Sequence, residues 1–124
     1  MGVLDMNEDF VSFSLAKKLK EKGLNFRTRY GYLPPIKLVL ESFNYKDWSK
    51  SDGYPAPTIS QVLKWLREEK KLHICIGICI APTFSWDYEI VNLDDDCYIH
   101  AECGYDSYED AASNGISYIL DNLI

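Results

Sequence analysis

Two histidines and four cysteines are the side chains best able to do chemistry here. His73 and Cys75, at i and i+2, share one face of an extended segment and could co-ligate a metal ion. Cys97, His100 and Cys103 recur every three residues and could add donors. Zinc needs four such groups converging in a tetrahedron. There is no Cys-x-x-Cys knuckle, and strand spacing spreads the donors apart. The plainer reading takes the cysteines as small apolar residues. The same set offers a thiol nucleophile with a histidine base, yet no elbow or helix N-terminus activates a thiol. The expectation is no metal and no cofactor, with a metal- or thiol-dependent enzyme on His73, Cys75, Cys97, His100 and Cys103 as the alternative. Cys75 and Cys79 cannot bridge each other. Four residues at strand rise put them about 13 Å apart, against ~4.4–6.8 Å for a disulfide.

Asp94, Asp95 and Asp96, then Asp106, Glu109 and Asp110, look like cation ligands. A calcium loop needs alternating acids, a central glycine and a closing glutamate, and neither run has that order. The first run is read as a solvated turn. Gly-x-Gly-x-x-Gly, Walker A, His-Glu-x-x-His and Gly-x-Ser-x-Gly patterns are absent. These absences tilt the reading away from an enzyme.

Aromatic and basic residues concentrate together once. Arg27, Arg29, Tyr30, Tyr32, Trp48 and Tyr54 lie in and after one pair of extended segments, among Lys37, Tyr45, Lys46 and Lys50. Arginine with aromatics suits a single-strand stacking platform or a protein-interface hot spot. The plainer reading is half-buried strand aromatics covered by long basic chains. As a site, the six residues named first form one contact patch, for an unidentified protein partner or for a second copy in a homodimer.

Three helices must position these groups. The first spans about Phe13 to Lys22, with Ser12 as N-cap, Leu15, Ala16 and Leu19 as its apolar stripe, and Gly23 as its stop. The second follows Pro55-Ala-Pro57, opens on a Thr58/Gln61 capping box, turns Ile59, Val62, Leu63 and Leu66 to the core, and ends near Lys70 or Lys71. The third follows Ser107 and buries Ala112, Ile116, Ile119, Leu120 and Leu123. Gly115 in its middle points to close packing on a strand, with a break into two shorter helices as the alternative. Between the helices, Leu72 to Ile80 alternates strictly, with Leu72, Ile74, Ile76, Ile78 and Ile80 on the core face and His73, Cys75, Gly77 and Cys79 on the other. Phe84 to Leu93 is a second strand, and Tyr98 to Glu102 makes a short third. Phe26–Leu33 and Ile36–Phe43 form an earlier pair, and residues 44–54 read as a loop.

The order α-β-β-α-β-β(-β)-α predicts an α+β fold. It has an antiparallel sheet of four to five strands and three helices mainly on one face. At 124 residues the chain reads as a single domain, 1–124. Its net charge of -6 argues against a general phosphate-backbone binder, so nucleic acid is not an expected partner. An acidic nucleic-acid mimic or accessory protein remains a third reading. The longest uncharged stretch, Leu72 to Trp86, falls short of the ~18 apolar residues a membrane span needs. The first ten residues carry no secretory pattern. Reduced thiols then suit a cytoplasmic protein.

The segments Phe10-Val-Ser-Phe-Ser-Leu-Ala-Lys-Lys-Leu-Lys-Glu-Lys-Gly23 and Ala56-Pro-Thr-Ile-Ser-Gln-Val-Leu-Lys-Trp-Leu-Arg-Glu69 resemble a family of small hypothetical proteins. That family recurs in phages and prophage regions of gut Bacteroidetes. Trp86-Asp-Tyr-Glu-Ile90 and the helix start Tyr105 to Ala111 extend the likeness over most of the chain, apart from roughly Leu33 to Tyr54. The family carries no assigned activity, so no site residues follow from it. The resemblance implies a mobile-element origin and a bacterial host cytoplasm. The resulting expectation is a small, soluble, non-enzymatic protein acting through protein contact.

Overall fold

Ser12 starts the first helix of a computed structural model that describes residues 10–24, 28, 30–33, 37–40 and 53–124. Its hydroxyl accepts from the Leu15 amide at 3.3 Å, and α1 runs Phe13–Glu21. Gly23 takes φ +80, which releases two closing bonds. The Leu24 amide donates to the Leu19 carbonyl and the Gly23 amide to that of Lys20, a Schellman stop. The stripe Leu15, Ala16 and Leu19 is buried, as its spacing requires.

The described residues form two compact units that meet in sequence at Thr58 and Ile59. In the first, β1 (Tyr30–Leu33), β2 (Lys37–Leu40) and β3 (Tyr54–Pro55) make an antiparallel sheet in the order β2-β1-β3. Pro55 lacks an amide hydrogen, and an edge strand tolerates that. α1 lies against β3. Val11 donates to the Pro57 carbonyl, and Phe10 bridges Thr58.

The second unit holds α2 (Ile59–Glu69), β4 (Leu72–Cys79), β5 (Ser85–Asn92), β6 (Cys97–Tyr105) and α3 (Tyr108–Asn122). The strands form an antiparallel sheet in the order β4-β5-β6. Ile74 lies opposite Ile90, and Ile76 opposite Tyr88, so these side chains share a face. α2 and α3 cover that face and touch each other. Leu72, Ile74, Tyr88 and Ile90 are buried there with Ile59, Val62, Leu66, Ile116, Ile119 and Leu120. Gly115 packs on the sheet, as its place in the helix implied. The Ser107 hydroxyl accepts from the Asp110 amide and caps α3, whose first turn carries Glu109 and Asp110.

The fold is α+β, but the strand count and order differ from the reading above. The described residues form six strands in two three-stranded sheets, in the order α-β-β-β-α-β-β-β-α. One sheet of four to five strands with all helices on it is not what forms. The extra strand is two residues long, pairs with residues over twenty positions earlier, and carries a proline, so it has no periodicity to read. α1 sits with the first sheet, α2 and α3 with the second. β6 is also longer than Tyr98 to Glu102. Its alternation breaks twice, where Ile99 and Gly104 are passed over in the pairing with β5.

Candidate functional site

The aromatics of the first sheet are engaged within their own unit. Tyr30 meets Phe10 at 4.7 Å between ring centroids. The Tyr32 hydroxyl donates to the Val11 carbonyl at 2.7 Å, and burial pushes its pKa up. Tyr32 stands opposite Tyr54 across β1 and β3. Phe13 packs edge-on against both, at 5.8 and 5.4 Å. The Lys20 ammonium lies 5.2 Å from the Tyr54 ring centroid and donates to the Gly53 carbonyl at 2.6 Å. Tyr30, Tyr32 and Tyr54 are all half-buried. Arg27, Arg29 and Trp48 lie outside the described residues.

The cysteine and histidine set is divided by the second sheet. His73 and Cys75 do share the uncovered face, with Glu89 directly opposite Cys75 and Cys103 opposite Asp87. His100 pairs with Ile90 and therefore turns to the helix-covered face. Cys97 opens β6, exposed after the aspartate turn. Among the described residues no three of His, Cys, Asp and Glu are grouped so as to hold a metal ion. All four cysteines are unpaired. Burial and then Glu89 push the Cys75 thiol pKa up, and Asp95 does the same to Cys97, which keeps both thiols poor nucleophiles.

Asp94 to Asp96 build a turn. Asn92 accepts from the Asp94 amide and Asp95 from that of Cys97, while Asp96 takes φ +56. Asn and Asp side chains favour such turns for this reason.

A polar network lies at the β6 edge of the covered face, and sequence reading missed it. The Glu102 carboxylate accepts from the Tyr88 hydroxyl at 2.8 Å and pairs with His100 Nε2 at 2.8 Å. First the His100 bond and then the Tyr88 bond lower the Glu102 pKa. An ionised carboxylate requires the hydrogen on Nε2. Burial first, and then Glu102, push the Tyr88 hydroxyl well above the usual tyrosine range. The His100 ring stacks flat on Tyr118 of α3 at 3.9 Å. The network ties β6 to β5 and α3. The i, i+2 spacing within Tyr98 to Glu102 already put His100 and Glu102 on one face; that this face is the one holding Tyr88 and Tyr118 depends on the bulge at Ile99 and on packing.

Four of the exposed large apolar side chains among the described residues lie at the end of the β4–β5 hairpin and the start of α3. Ile78 is 50% exposed, Ile80 71%, Phe84 60% and Tyr108 39%. Trp86 lies opposite Ile78, and the rings of Phe84 and Tyr108 meet it edge-on, each at 6.0 Å. Ile78 and Ile80, read above as part of a core face, are exposed instead. Each strand runs eight residues, about 26 Å of chain. Full burial ends at Ile74 on β4 and begins at Tyr88 on β5; beyond them the hairpin is thinly covered, with Tyr108 of α3 against Trp86.

No helix among the described residues is long and apolar enough to cross a membrane. Comparison with known proteins gives no match, whether to protein-family models, to curated proteins or to solved structures.

Proposed function

We propose that the chain is a small non-enzymatic protein that acts by contact with another protein chain, in the setting of a phage or prophage in a bacterial cytoplasm. The observation that carries the contact reading is the exposed group Ile78, Ile80, Phe84 and Tyr108 around half-buried Trp86. Contiguous apolar surface of this kind marks interaction sites, and aromatic anchors dominate binding energy at them. The first hairpin supports the reading less, because Tyr30, Tyr32 and Tyr54 are occupied by Phe10, Phe13, Val11 and Lys20. The phage setting rests on the resemblance of the helix and strand segments alone.

The test is affinity capture from a bacterial host lysate with wild type and with the double variant Phe84→Ser, Tyr108→Ser. Circular dichroism should show the variant folded, since both side chains are exposed. Loss of the captured protein is expected. Capture that survives unchanged removes the hairpin end as the contact.

A further inference from the structure

The seven residues Ile74-Cys75-Ile76-Gly77-Ile78-Cys79-Ile80 read identically in both directions, centred on Gly77. All but the last belong to β4, an edge strand whose one partner among the described residues is β5. The Leu93 amide donates to the Lys71 carbonyl at 2.8 Å, so that pair is hydrogen-bonded in the β4–β5 ladder. Alternation then turns the peptide groups of His73, Cys75, Gly77 and Cys79 toward β5. Those of Leu72, Ile74, Ile76 and Ile78 point outward. Among the described residues no backbone group from outside the sheet bonds to this outer row.

Exposed edges are normally blunted by charge, proline or a bulge. Leu72–Cys79 contains no Asp, Glu, Lys, Arg or Pro, and its register with β5 is unbroken. The other edge strand, β6, carries both irregularities. An uncharged edge is notable in a chain of net charge -6. Two copies meeting there set no like charges face to face along the strand.

We propose that β4 pairs antiparallel with β4 of a second copy about a two-fold axis at Gly77, joining two three-stranded sheets into one. The proposal goes beyond the contact reading: it adds a second surface, the β4 edge, whose partner is another copy of this chain. The palindrome makes this isologous contact like on like. Ile76 faces Ile78 of the second copy, Ile74 faces Ile80, and Cys75 faces Cys79. Gly77 meets Gly77 on the axis, where no side chain keeps the backbones apart. The outward peptide groups of Ile76 and Ile78 bond to each other across the axis. Ile78 and Ile80, left exposed by α2 and α3, gain apolar neighbours. Cys75 and Cys79 of the second copy fall at a non-hydrogen-bonded position, with Cα atoms about 4.5 Å apart. That is within reach of a disulfide.

The test combines sedimentation with thiol crosslinking on the full chain. Wild type should sediment as a dimer at micromolar concentration. Ile78→Lys changes a half-exposed side chain, should keep its circular dichroism, and should be monomeric. In the Cys97→Ser, Cys103→Ser variant, copper-phenanthroline should take two electrons and two protons from facing thiols and yield a covalent dimer. Mass spectrometry should map its link to Cys75–Cys79. A monomeric wild type overturns the pairing, as does an Ile78→Lys dimer or a Cys75–Cys75 link. A monomer whose captured partner is lost on Phe84→Ser, Tyr108→Ser leaves the contact reading standing. A dimer whose capture ignores those substitutions keeps the pairing and removes that reading.

Discussion

Gly115 of α3 lies directly against Ile74 of β4: a Cβ built on the glycine would stand 3.1 Å from Ile74 Cγ2 and 3.3 Å from its Cδ1. The Tyr88 ring closes the same space at 3.3 Å. Helix and sheet therefore meet at backbone distance at this point, which sets how deeply α3 sinks onto the hairpin.

Gly115→Ala should destabilise the protein by about 1 kcal/mol. Alanine gains ~1 kcal/mol in helix propensity. Overpacking costs roughly 1–3 kcal/mol. The neighbours have little room to yield, since Ile74 is buried and Tyr88 is tethered to Glu102. Urea unfolding measures the balance, and a stabilised variant would show that Ile74 can move aside.

Burial along β4 predicts unequal responses from chemically identical residues. Ile74, 6% exposed, should lose ~2–5 kcal/mol on truncation to alanine. Ile78, half exposed, should lose less than ~1 kcal/mol, as surface changes do. Both are measured by chemical denaturation at a dilution where copies are dissociated. Equal losses would mean that the hairpin end is covered within one chain.

Glu102 predicts an acid-sensitive link. Its folded pKa lies below the ordinary 4.5, through His100 first and then Tyr88. Its stabilisation is therefore complete above the unfolded value and lost as pH falls through the folded one. Glu102→Gln should flatten the acid limb of stability against pH. The check is urea midpoints over a pH series running from neutral to below 4.5. An acid limb identical to wild type would mean that the carboxylate pairs equally well in the unfolded chain.

What the sequence determined by itself was local. Ser12, Gly23 and Ser107 act on amides and carbonyls within a few positions, so helix ends could be read from residue type. The alternation from Leu72 to Ile80 assigned β4 its two faces, because side chains on a strand must alternate. The packing role of Gly115 also followed from its place in an apolar helix. Tertiary structure decided the rest. Tyr54-Pro55 becomes a strand through Tyr32 and Gly31, which are distant in the chain. The bulges at Ile99 and Gly104 exist only against β5, and they turn His100 and Glu102 toward Tyr88 and Tyr118. How far α2 and α3 reach along β4 separates buried Ile74 from exposed Ile78. Identical residues on one strand face differ there because burial depends on what covers them, and covering is a property of the packed chain.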